Sequence, residues 1–298
     1  MKAPLVTDEE LQHIENMLEG LESQIVQSML YIKKVQGWTN DTLANRFSGI
    51  SNKVLLRYLQ KAHTGIRPIH FVAVFSWLTM IPMTAFYLGT KIRESYRGMD
   101  KLAVDALLCI GNMPYEQFDI VLSCIYLYLD QAGKDAVDKL RAELTKEYGV
   151  IDAEFEKKHL PPDVIDLKEF AESYYHSVAL TAKELREEYK LSEREMGEIV
   201  GLSRYKYKVL ENPNDPQPFS LAIGIRAKLG LKLTGHVNFT KEMTHYSEFH
   251  GFRKLQHIRD SLLVESLQHV PVHQKDYVVE MIKGISNAYI KKRMEKRI

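Results

Sequence analysis

The sequence predicts a nearly all-α protein, and three observations carry that expectation. Apolar residues recur at three- and four-residue steps along most of the chain, alternating Val/Ile/Thr runs are few, and two stretches repeat one helical pattern in the same order. With 298 residues, 45% of them hydrophobic and 27% charged, the chain can bury one large core or two of ordinary size, which excludes a disordered or collagenous polymer.

From the N-terminus, Thr7 and Glu10 have the spacing of a capping box. Leu11, Ile14, Leu18, Leu21, Ile25 and Met29 then continue one apolar face, so the pattern predicts one long first helix. The acidic start carries no apolar segment ahead of a small-residue cleavage site, and a signal peptide is not expected. Residues 68–90 contain no Asp, Glu, Lys or Arg and are nominally long enough to cross a bilayer. Pro82 interrupts them, however, and the segment that aligns with them, 218–240, carries Arg226, Lys228 and Lys232. No membrane span is therefore expected.

Within that segment Phe71, Phe75, Trp77, Met80, Met83 and Phe86 read first as core, and second as an exposed patch for a protein or peptide effector. Residues 104–129 and 264–289 read as apolar helical hairpins broken at Met113-Pro114 and at Pro271. Two roles are open to them: packing on each other, or forming a surface for homodimerisation. Between the halves the chain turns charged, with Gly149 and Pro161-Pro162 as breakers, which predicts a helical linker. The expected division is 1–132, a linker at 133–163, and 164–298.

The repeat pairs the segment from Trp38 with the segment from Leu191, and Pro68 with Pro218. In the second copy Gly197, Gly201, Leu202 and Ser203 form a fixed pattern. A glycine at 197 lets two helices approach closely, and one at 201 takes the left-handed conformation of a tight turn. Leu202 is expected to plug the core and Ser203 to cap a following helix, with Tyr207 and Leu210 facing inward. Its other face then presents Arg204, Tyr205, Lys206 and Lys208, cationic and hydrogen-bonding groups suited to a DNA major groove.

On these residues the segment from 180 to about 239 resembles the helix-turn-helix of lambda-repressor-like (Cro/CI, or XRE) DNA-binding proteins. The resemblance implies five helices and sequence-specific binding to double-stranded operator DNA by two copies on two half-sites. It assigns base reading to Arg204, Tyr205, Lys206 and Lys208 beside the cap Ser203, and phosphate contact to Ser192 and Glu193. Here the chain departs from the pattern: Glu193, Glu195 and Glu198 make the second helix acidic, which should repel phosphate.

The first copy resembles the motif less closely. Ala44 takes the small position, Gly49 the turn, Ile50 the plug and Ser51 the cap, with Leu55 and Tyr58 inward and a turn one residue longer. Its outward positions are Asn52, Lys53, Leu56 and Arg57, with Thr39 and Asn40 expected at phosphate and Arg46, Lys61 and Arg67 as nearby positive charge. Two motifs in one chain would mimic a repressor dimer. The rival reading is a helical protein-interaction adaptor in which a degenerate copy binds protein.

Lys and Arg total 40 against 39 Asp and Glu, so nucleic-acid binding has to come from local patches. A basic C-terminal end, with Lys291, Lys292, Arg293, Lys296 and Arg297, reads equally as a phosphate-gripping arm or a solvated helix end. Cys109 and Cys124, in apolar surroundings, fit buried thiols and a cytoplasmic location. His269 and His273 have zinc-site spacing, but Pro271 lies between them, and His245 and His250 lack a Glu-x-x-His arrangement, so no metal is expected. With no Gly-rich phosphate loop, nucleophile elbow or Cys-x-x-Cys pair, neither enzymatic activity nor a cofactor is expected.

Overall fold

The computed structural model describes residues 6–60, 67–87, 89–111, 113–233, 240–241 and 243–295. In chain order its helices are α1 (Asp8–Leu18), α2 (Leu21–Val35), α3 (Asn40–Ala44), α4 (Asn52–Tyr58), α5 (Ile69–Thr79), α6 (Lys101–Ile110), α7 (Tyr115–Tyr126) and α8 (Gln131–Tyr148). There follow α9 (Ala153–Lys158), α10 (Leu167–Glu188), α11 (Glu193–Val200), α12 (Arg204–Leu210), α13 (Leu221–Gly230), α14 (Ser247–His269) and α15 (Val272–Glu295). Among the described residues the only sheet is a parallel pair, β1 (Phe47–Ser48) with β2 (Ile165–Asp166). The protein is all-α, as the periodicity predicts.

The chain divides into two compact units, and each is discontinuous in sequence. Unit 1 holds residues 1–75 and 161–250, and unit 2 holds 76–160 and 251–298. This partition cuts across the sequential division at 132 and 163. The charged segment expected to link two halves instead forms α8 and α9 of unit 2, where α8 buries Val137, Leu140 and Leu144.

In unit 1 the Thr7 capping box forms, with the hydroxyl accepting from Glu10 N at 3.2 Å. The single long first helix does not. Gly20 takes φ +71° and breaks it into α1 and α2, although Leu18 and Leu21 on either side are both buried. The break redirects α1 onto α13, where Glu15 receives Arg226 through two hydrogen bonds of 2.9 and 2.6 Å. The core of the unit is aromatic: Phe170, Tyr174 and Phe249 are buried with their rings in mutual contact.

In unit 2 the two hairpins are α6–α7 and the pair formed by the end of α14 and α15, interrupted at the expected prolines. They pack on each other through α6 and α15, where Ser286 Oγ donates to Cys109 O at 3.0 Å. The apolar stretch 68–90 is not one helix: α5 stops at Thr79, Met80 has φ +59°, and a 3₁₀ turn at Met83–Tyr87 follows Pro82. Among the described residues no helix is long and apolar enough to cross a membrane. Phe71, Phe75, Trp77, Met83 and Phe86 are buried core rather than an exposed patch. An ion pair at 3.0 Å between buried Arg259 and buried Glu156 is also enclosed in this unit.

Candidate nucleic-acid interface

The second motif forms as its residues dictate. Ser192 caps α11 in a capping box: its hydroxyl accepts from Glu195 N at 3.3 Å, and its own N–H donates to the Glu195 carboxylate at 2.7 Å. Gly201 ends the helix at φ +71°, with Leu202 N donating to Gly197 O at 2.8 Å and Gly201 N to Glu198 O at 3.3 Å. These two bonds are those of a Schellman turn, which satisfies the last carbonyls and reverses the chain. A Cβ on Gly197 would lie 2.8 Å from Leu202 O and 3.5 Å from Tyr207 Cβ, so glycine is what lets α12 approach α11. Ser203 then caps α12 by accepting from Lys206 N at 3.4 Å.

Side-chain chemistry fixes α12 from beneath. Tyr207 is fully buried, and its hydroxyl lies 3.2 Å from Ala182 O on α10 and 3.0 Å from the Glu211 carboxylate. Burial and the adjacent Glu211 charge push the phenol well above its ordinary pKa. Glu211 is held in turn by Arg186 Nε at 2.7 Å, and Arg186 Nη1 donates to Leu191 O at 3.3 Å in the turn before α11. Arg186 therefore ties α10, that turn and the end of α12 together. Leu202 and Leu210, expected inside, are only half-buried.

The opposite face of α12 presents Arg204, Tyr205, Lys206 and Lys208, all exposed, with Tyr205 at 76%. The acidic residues that should repel phosphate are committed to partners instead. Glu193 accepts from Arg204 Nε at 3.0 Å, Glu198 from Arg194 Nε at 2.9 Å, and Glu195 closes the capping box. The Ser192 hydroxyl, assigned to phosphate, is likewise engaged as a cap.

The first motif keeps the caps but not the turn. The Thr39 hydroxyl accepts from Thr42 N at 3.0 Å, and Ser51 Oγ accepts from Val54 N at 3.4 Å. Asn40 Oδ1 accepts from Lys33 Nζ. The helix α3 ends at Ala44, well before Gly49, and after a turn at 45–46 the chain runs as β1 against β2. The turn is thus an extended segment stapled by another part of unit 1, with Ile165 N donating to Arg46 O at 3.0 Å. Gly49 has φ +71°, and a Cβ there would run into the Asp166 carboxylate. Beyond it α4 buries Leu55 and exposes Asn52, Lys53 and Arg57, while Ile50 and Tyr58 are half-buried.

Of the positive charges expected around this motif, Arg67 is not at the surface. It is 2% exposed, donating to Tyr58 O at 2.9 Å and Gln60 O at 2.6 Å and facing Glu22 at 3.5 Å, so it satisfies carbonyls at the end of α4. Arg46 Nη2 donates to Pro162 O at 2.9 Å. Lys61 lies outside the described residues, as do the side chains of the basic C-terminal end.

The two motifs meet within unit 1. Pro68 and Ser220, at the starts of α5 and α13, form an antiparallel bridge, with Ile69 N donating to Phe219 O at 2.9 Å. The sequence repeat pointed to these two helix starts but not to their contact. Among the described residues no cluster of three or more His, Cys, Asp or Glu is placed to hold a metal ion. No family model, no curated protein and no solved structure matches this chain.

Proposed function

We propose that this chain is a sequence-specific DNA-binding transcription regulator of lambda-repressor-like type, in which two helix-turn-helix modules act as a pseudo-dimer on duplex DNA. One observation carries the reading. The seven-residue helix α12 is pinned from below by Tyr207, the Arg186–Glu211 pair and the Gly197 close approach, while its outer face carries Arg204, Tyr205, Lys206 and Lys208. A helix held rigidly on one side and cationic on the other meets the requirements for base reading in a major groove. The pairing of Arg204 with Glu193 supports the same reading, because it orients the guanidinium and removes the charge conflict expected of an acidic α11.

In this account Arg204, Tyr205, Lys206 and Lys208 read bases from the second module, and Asn52, Lys53 and Arg57 from the first. Lys61 supplies phosphate contact, and Thr39, Asn40, Ser192 and Ser203 fix the helix starts that flank the backbone. Such a regulator works in the cytoplasm, and homodimerisation would double the number of reading helices.

The test is incubation with a random-sequence duplex pool, followed by sequencing of the retained fraction across a salt series. An enriched motif whose retention falls steeply with salt is the expected result. Arg204→Ala is expected to relax one base position by about 1–3 kcal/mol without abolishing binding. Absence of enrichment at low salt, with a stoichiometric protein co-purifying, would replace this reading with the adaptor one.

A further inference from the structure

The helix α10, with the residues that lead into it, contacts the second reading helix and the turn that precedes the first. At the N-terminal end of α10, β2 and the capping residue Asp166 staple the turn that precedes α4: Ile165 N donates to Arg46 O, Ser48 Oγ donates to Asp166 Oδ2 at 3.4 Å, and Arg46 Nη2 reaches Pro162 O. Mid-helix, Tyr175 is buried at the bridge between the two modules. Its hydroxyl is hydrogen-bonded to His70 Nδ1 at 2.9 Å, and its ring packs on Phe219 with centroids 5.1 Å apart. Toward the C-terminal end, Ala182 O and Arg186 hold Tyr207 and Glu211 of the second module.

The first of these anchors lie in the residues that lead into α10, and the others on the helix itself, which has 22 residues and a heavily buried face. At 1.5 Å per residue the separation from Asp166 to Ala182 is about 24 Å. Half-sites read by paired helices lie about 34–36 Å apart on DNA, the same order of length. Two separately folded modules on a flexible tether would tolerate many half-site spacings, because the effective concentration of the second module varies only slowly with tether length. Modules fastened to one helix at both ends and at the middle do not have that freedom.

We propose that α10 is a built-in spacer that sets α4 and α12 at one separation, so that the chain takes duplex DNA carrying two half-sites at a single spacing. The antiparallel Pro68–Ser220 bridge adds orientation: helices related by a twofold read half-sites that are inverted, not repeated directly. The inference rests on the DNA-binding reading and extends it, since a lambda-repressor-like pair takes its spacing from contact between two chains, whereas here a helix of the same chain supplies it.

The experiment selects from a random-sequence duplex library several helical turns long, using the full chain, and tabulates the spacing and relative orientation of the half-sites recovered. A sharp single spacing with inverted orientation is the expected result. Direct repeats, several spacings, or one isolated half-site would overturn the spacer while leaving DNA binding intact, and no enrichment at all would remove both. The variant Ser48→Ala removes the side-chain bond of the staple to Asp166 but leaves the Asp166 cap, Arg46 and both outward faces in place. It is expected to recover the same half-sites over a broadened range of spacings. An unchanged sharp spacing in that variant would show that the staple does not set it.

Discussion

Tyr207 shows how one side chain serves both stability and presentation. Its position, four residues beyond the Ser203 cap, marked it as inward-facing, and it is fully buried. The sequence did not reveal that its hydroxyl bridges Ala182 O and Glu211, because both partners arrive only on folding. Tyr207→Phe keeps the ring and removes the hydroxyl, so a loss of about 0.5–1.5 kcal/mol is expected in urea unfolding. No loss would mean that the bridge is not part of what holds α12. Arg67 illustrates the opposite case. A charged residue near a motif reads as a surface cation, and only the fold supplies the Tyr58, Gln60 and Glu22 oxygens that draw it inside.

His70, beneath the two modules, gives a pH prediction. Burial lowers its pKa from 6.5 to about 3, so it stays neutral in the folded chain while the unfolded chain protonates it near 6.5. The unfolded state therefore binds more protons between those values, and stability conferred by the neutral ring is complete above about pH 6.5 and is lost as pH falls. The slope from this group approaches roughly 1.4 kcal/mol per pH unit in that window. Unfolding measured between pH 7 and 4 should show a shallower fall in His70→Gln than in the natural chain. Parallel curves would assign the acid sensitivity to other groups.

At the scale of elements, α11 and α12 were legible almost to the residue, because caps, a left-handed glycine and a close-approach glycine are local and strongly constrained. Gly197→Val forces a side chain against the Leu202 carbonyl, so a destabilisation of about 1–3 kcal/mol is expected, together with weakened DNA retention as α12 shifts outward. Full stability in this variant would contradict the close approach. The first motif was only half legible. Strands of two residues are too short to leave an alternating pattern, so β1 and β2 were invisible in the sequence, and with them the stapling of the turn. The break at Gly20 was hidden by an apolar face that continues across it through Leu18 and Leu21.

For the whole molecule, the repeated pattern led to the expectation of two consecutive halves, whereas the chain divides into two units that are each discontinuous in sequence. Nothing local at residues 161–166 signals that the chain returns to the first motif there, or that the hairpins leave their motifs for a common unit. The composition shift at 131–162 marked helix ends and solvated faces, which are as common inside a domain as between two. Assortment of this kind places both outward helices in unit 1, with Pro68 against Ser220, and with α10 and its lead-in against α12 and the turn before α4. That is the arrangement on which a single-chain pseudo-dimer depends.

The most direct test of this central claim is selection from random duplex DNA with three proteins side by side: the natural chain, Asn52→Ala/Lys53→Ala, and Arg204→Ala/Lys206→Ala. A two-part motif is expected for the natural chain, with a different half lost in each variant and the other half retained. Identical motifs from all three proteins, or no motif from any, would contradict it.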